Sequence, residues 1–228
     1  MKKKLTLACL AMAYLSALSY VQAQSLQGAR FHTVVYEGTQ TLTLLDGPLN
    51  DHLVLATPAD SAKVRFSVMN GVLYVEEMAE ISGRANIIVS IRGIDSVWVG
   101  GYARLASNVP IQERFALYCE GNASTYLHAE LPAGQQLRVY NASEGDVSVH
   151  GHTDALYIWN GGKGHVEART LHAQDVQVDL MGKGDVFIQP HGKLYANVEG
   201  AGYVYYVSKP VDAQTKNGVG GGDMVRLY

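Results

Sequence analysis

VWVGGYARL (97–105), LYCEGNAST (117–125), VYNASEGDV (139–147), IWNGGKGHV (158–166), VDLMGKGDV (178–186) and ANVEGAGYV (196–204) state one phrase six times: an alternating apolar run, a small-residue turn and a second alternating run. The third turn residue, taken as the reference, falls at Ala103, Ala123, Gly145, Gly164, Gly184 and Gly202, in steps of 20, 22, 19, 20 and 18 residues. A step of about 20 residues is too short for a helical hairpin and matches one coil of a β-solenoid. No copy can bury its apolar face alone, so the copies must stack. The expected fold is all-β: a single-stranded parallel β-helix with coils of about 20 residues, regular over 94–210.

Successive side chains of a strand point to opposite faces, so the phrase sorts into columns. Six before the reference stand Val97, Leu117, Val139, Ile158, Val178 and Ala196; two after it stand Leu105, Thr125, Val147, Val166, Val186 and Val204. Both columns read as core. Four before it lie Val99, Cys119, Asn141, Asn160, Leu180 and Val198, also inward, so Asn141 and Asn160 are expected to pair their amides with each other and with the turn backbone. Gly145, Gly164, Gly184 and Gly202 are read as structural turn positions.

The outward columns carry the functional signal. Five before the reference come Trp98, Tyr118, Tyr140, Trp159, Asp179 and Asn197, placing an aromatic on four consecutive coils about 4.8 Å apart. Such a strip can bind sugar rings or a partner's apolar surface. Two structural readings compete with it: stacked rings that contribute about 0.2–1 kcal/mol per cross-strand pair, or a strip covered by residues 25–91. Immediately after the reference come Asp146, His165 and Asp185 on adjacent coils. This ladder is read as solvated charge beside Glu144, Lys163 and Lys183, because a metal site needs convergence and outer support that spacing does not establish. His150 and His152 face one way, near the corner expected to hold His172 and His191, and are read as surface histidines. No metal and no cofactor is expected.

The 228 residues are 47% hydrophobic and 17% charged, with 24 glycines, a net charge of -3 and a pI near 6.2. One domain is expected. That charge supplies no general field for nucleic acid or anionic lipid. Lys2, Lys3 and Lys4 precede an apolar stretch from Leu5 to about Leu18 and then Val21-Gln22-Ala23, so residues 1–23 read as a signal peptide cut after Ala23. No later stretch is apolar enough to span a bilayer. Cys9 leaves with the leader, and Cys119 remains as a buried structural thiol without a disulfide partner.

Looser strand signals precede the repeat: FHTVVY (31–36), QTLTLL (40–45), HLVLA (52–56), KVRFSV (63–68), VLYVEE (72–77) and NIIVSI (86–91). Asn70-Gly71 is the strongest hairpin signal in the chain. After Pro210, residues 211–228 read as a flexible Gly-rich tail whose final MVRLY forms a capping strand. No catalytic residues are expected. The acids of the repeat are scattered over different columns, whereas glycoside cleavage needs two carboxylates set across the bond. The Gly-rich turns join strand to strand rather than opening a helix, as phosphate loops do.

The series NGGKGHV (160–166), MGKGDV (181–186) and EGAGYVYYVSKP (199–210), with VLYVEE following Asn70-Gly71, resembles the auto-transporter adhesin family with the head GIN domain. Gly200, Gly202, Val204, Pro210 and a tyrosine at 205 or 206 match the family's closing phrase, with Ser208 where glycine is usual. Ala103 and Ala123 depart from the phrase. The resemblance spans about residues 29–210 and implies a right-handed β-solenoid with an adhesive role at the periplasmic or outer surface of a Gram-negative envelope. It brings no catalytic residues. Asp60-Ser61-Ala62 and Asp95-Ser96-Val97 also resemble short O-glycosylation acceptors of some Gram-negative bacteria.

Together these readings point to a non-enzymatic exported envelope protein that binds a glycan, or an envelope or host protein, through Trp98, Tyr118, Tyr140 and Trp159. The alternatives are a carbohydrate-active enzyme on a β-helix scaffold and an architectural module that self-associates as a homo-oligomer.

Overall fold

A computed structural model describes residues 29–49, 51–107 and 109–228. The expected signal peptide and Cys9 lie outside the described residues. The strands are β1 (Thr33–Gly38), β2 (Thr41–Leu45), β3 (His52–Leu55), β4 (Val64–Met69), β5 (Val72–Glu77), β6 (Asn86–Ser90), β7 (Ser96–Gly101), β8 (Arg104–Ser107) and β9 (Phe115–Cys119). They continue as β10 (Ser124–Glu130), β11 (Gln136–Asn141), β12 (Val147–Asn160), β13 (Val166–Leu180), β14 (Val186–Pro190), β15 (Lys193–Val198), β16 (Val204–Tyr206), β17 (Asp212–Asn217) and β18 (Met224–Arg226). The one described helix, α1 (Pro58–Ser61), starts at a proline behind the N-cap Thr57.

Parallel pairings about 20 residues apart make a β-solenoid. One face stacks β5, β1, β7, β9, β11, the C-terminal halves of β12 and β13, β15 and β17. The other stacks β6, β2, β8, β10, the N-terminal halves of β12 and β13, β14, β16 and β18. The columns hold. Val97, Leu117, Val139, Ile158, Val178 and Ala196 are fully buried in mutual register. Asn141 and Asn160 are equally buried. Asn141 Nδ2 donates to Asn160 Oδ1 at 3.2 Å, and Asn160 Nδ2 donates to the Gly164 and Gly184 carbonyls at 3.2 and 3.0 Å.

Coil order departs from chain order. The coil formed by β1 and β2 lies between that of β5 and β6 and that of β7 and β8. β3 and β4 then pair antiparallel with β6 and β5, outside the parallel stack. The β4–β5 turn places Asn70 at φ 52° and Gly71 at φ 76°, the left-handed pair of a type I′ hairpin.

The C-terminal segment carries the expected capping strand, β18 within MVRLY, and a second strand, β17, that the sequence reading placed in the tail. β17 stacks on β15 and β18 on β16, with Gly220-Gly221-Gly222 as a further corner above Gly200 and Gly202. Every residue of β17 is exposed, because no coil covers it. Ser61 is buried and its hydroxyl donates to the Pro58 carbonyl at 3.1 Å, so it offers no accessible glycosylation site in the folded chain.

Candidate functional site

The four outward aromatics occupy one register line. Trp98 pairs with Tyr118, Tyr118 with Tyr140 and Tyr140 with Trp159; Val35 precedes the row and Asp179 ends it. Trp98 is 41% exposed and the other three are half-buried. The coil spacing of about 4.8 Å is close to the stacking distance of aromatic rings. Trp98 and Tyr118 therefore stack with centroids 5.0 Å apart, and Tyr118 and Tyr140 at 4.7 Å with planes 4° apart. Both faces of Tyr118 are thus taken by neighbouring rings, and it offers a partner its edge and hydroxyl.

The row turns a corner at its end. Tyr140 meets Tyr157 edge-on at 5.6 Å, and the Tyr157 hydroxyl donates to Asp179 Oδ2 at 2.8 Å. Burial, then the Asp179 carboxylate, pushes the Tyr157 phenol up to about 12; burial also raises Tyr118. The Trp159 indole lies against Gly161, where a Cβ would come within 2.1 Å of Cη2. Trp98, Tyr118, Tyr140 and Trp159 thereby enclose, with Cys119, Glu120 and Ala142, a groove of about 380 Å³. Glu120, Ala142 and Gly161 share the column three before the reference, the position just ahead of the turn. Strand alternation does not single that column out, although the small residues Ala142 and Gly161 within it are the signal that a neighbouring ring has room to lie down.

Among the described residues of 29–91 none lines this groove; β1 stacks beside Trp98 instead. Cys119 is buried with Sγ 3.2 Å from Thr125 Oγ1, and burial pushes its thiol up to about 12, far from a nucleophile.

The Asp146, His165, Asp185 ladder is a hydrogen-bond ladder. Asp146 Oδ1 accepts the His165 amide at 2.8 Å, His165 Nδ1 accepts the Asp185 amide at 3.0 Å, and Asp185 Oδ1 accepts the Tyr203 amide at 2.8 Å. Each side chain satisfies the backbone of the next coil, and Lys163 pairs with Glu144 beside it. On the opposite face, Phe187 and Tyr205 stack at 5.0 Å, with the Arg169 guanidinium 4.9 Å from the Phe187 centroid.

A family described as "Putative auto-transporter adhesin, head GIN domain" matches residues 30–210. No curated protein matches significantly. Among solved structures, a "putative adhesin" from Bacteroides fragilis is 16% identical, with 91% of this chain and 97% of that one aligned at a TM-score of 0.77. A "putative adhesin" from Parabacteroides distasonis is 15% identical over 91% and 98%, at 0.64. A "putative lipid binding protein" from the same species is 14% identical over 90% and 96%, at 0.66. At these identities the likeness is one of fold.

Proposed function

This chain belongs to the auto-transporter adhesin, head GIN domain family, and from that premise we propose that it is a non-enzymatic, exported envelope protein that binds a glycan or protein partner in the groove of Trp98, Tyr118, Tyr140 and Trp159. The observation that carries the reading is the groove itself. Three rings on successive coils form one wall, small residues just ahead of the turn leave space beside them, and Trp159 stands at the end. Rigid aromatics lose little conformational entropy on binding and dominate binding energetics.

The electrostatics support a binding role over catalysis. Each carboxylate whose pKa is displaced, at Asp46, Asp60, Glu167 and Asp223, is held low by hydrogen bonds or a cation. A general acid requires the opposite displacement.

The test is direct because the chain has only two tryptophans and both line the groove. A partner identified on a glycan array or an envelope-protein array should shift intrinsic tryptophan emission on titration. Trp98→Ala and Trp159→Ala should each weaken binding at least about tenfold, as hot-spot aromatics do. Equal binding by wild type and both variants sinks the proposal.

A further inference from the structure

The second corner of each coil, where a strand of one face hands over to the other face in the next coil, gathers imidazoles. His128 is in register with His150, His152 is in register with His172, and His172 is bonded to His191. The two ends of this edge are built differently. His128 and His150 stack face to face, with centroids 4.5 Å apart and planes 15° apart. His172 and His191, both exposed, instead point nitrogens at each other, with Nδ1 of His172 3.2 Å from Nε2 of His191.

That separation has a chemical meaning. Two imidazole ligands on a tetrahedral ion with metal–nitrogen bonds of about 2.0–2.1 Å stand about 3.3–3.4 Å apart. An imidazole–imidazole hydrogen bond also holds one ring's lone pair toward the other ring. Asp175 lies beside the same corner, its Oδ1 accepting the Lys193 amide at 3.0 Å and coming within 2.8 Å of where a Cβ on Gly192 would stand. It supplies negative charge next to the pair.

We propose that His172 and His191 form a two-donor clamp for a divalent transition metal of the zinc class, with Nδ1 of His172 and Nε2 of His191 as ligands. Among the described residues no group of three or more His, Cys, Asp or Glu is gathered for a metal, so the clamp is open and water fills the remaining positions. Binding needs no net loss of a proton. The proton now shared between the facing nitrogens moves to the other nitrogen of its own ring, leaving two neutral imidazoles as donors. The imidazole nitrogen pair selects against Mg²⁺ and Ca²⁺, which require oxygen ligands. The clamp lies on a different edge from the aromatic groove and does not depend on the groove's function.

Calorimetric titration of the leaderless chain with Zn²⁺ alone at neutral pH tests it. One equivalent is expected to bind with micromolar affinity, and Mg²⁺ is expected to give no heat. His172→Ala and His191→Ala should each weaken Zn²⁺ at least about tenfold. His150→Ala, which breaks the stacked pair, should leave it unchanged. Circular dichroism of each variant verifies the fold, and Cu²⁺ bound to wild type should show two nitrogen couplings by electron paramagnetic resonance. Absence of Zn²⁺ binding, or unchanged affinity in both His172→Ala and His191→Ala, overturns the proposal.

Discussion

At Gly164 a Cβ would stand 1.9 Å from the Gly145 carbonyl oxygen, and at Gly184 it would stand 2.0 Å from that of Gly164. These glycines are required by close approach of successive corners; their φ values are not left-handed. The earlier corners solve the turn differently: Gly101 at φ 68° and Gly121 at φ 65° take the left-handed residue two positions before the reference, and Ala103 and Ala123 fit at the reference. That is why the first two copies depart from the phrase. Gly164→Ala should cost about 1–3 kcal/mol by forcing neighbouring coils apart, read as a lower midpoint in urea. A second residue-scale prediction concerns alkali. Burial raises the phenols of Tyr157, to about 12, and of Tyr36, whose hydroxyl donates to Glu77. With folded pKa values above the ordinary 10.0, the native state holds protons that the unfolded chain releases. Their contribution is complete below pH 10 and is lost as pH rises through the folded values. The melting temperature should therefore fall above about pH 10, and Tyr157→Phe should make that fall shallower, with phenolate absorbance following the same titration.

Between coils, the strands were legible wherever alternation was strong. Val97, Leu117, Val139 and Ile158 announced their register because a slip by one residue would turn each of them outward. The Asn141–Asn160 pair was legible for the same reason, since an amide in an inward column must find partners. Ser143 completes it: its amide donates to Asn141 Oδ1 at 3.1 Å, and its hydroxyl, 2.7 Å from the Gly145 carbonyl, donates its one proton there. Asn160→Leu copies the residue that the next coil places there, yet it would orphan the Gly184 carbonyl, leave the Gly164 carbonyl with Asn141 Nδ2 alone, and remove the Asn160 Oδ1 acceptor of Asn141. With an unsatisfied buried group costing about 1–3 kcal/mol, a loss of about 1–3 kcal/mol is expected in chemical denaturation. The groove was half legible. Its wall follows from one outward column, but its depth depends on the small residues Ala142 and Gly161 in the column just ahead of the turn. The ring stacking that hides the faces of Tyr118 follows from coil spacing rather than from any residue alone.

For the whole molecule, what alternation does not encode is the order in which coils stack and how the stack ends. Nothing in β1 or β2 marks them as neighbours of both β5–β6 and β7–β8, because each of these coils offers an equivalent apolar interior. At one end the antiparallel β3 and β4 replace the parallel pairing that a further coil would use. At the other, the inward positions change character: Leu194, Ala196 and Val198 of β15 are covered by Ala213, Thr215 and Asn217 of β17. A last coil that is polar along β17 shields the core without inviting another coil on that face, a way of blunting an edge. Its β18 lies within the MVRLY strand expected from sequence, whereas β17 was missed because the same polar residues erase the alternation that identifies a strand. Removing 211–228 would leave β15 and β16 as open parallel edges with Leu194, Ala196, Val198 and Val204 no longer covered from that side. Light scattering should then find larger species that grow with protein concentration in the truncated chain and a single species in the full chain. A chain that stays the same size after truncation would show that β17 and β18 do not shield the end, whereas association of the full chain would favour the architectural role over the groove-binding one.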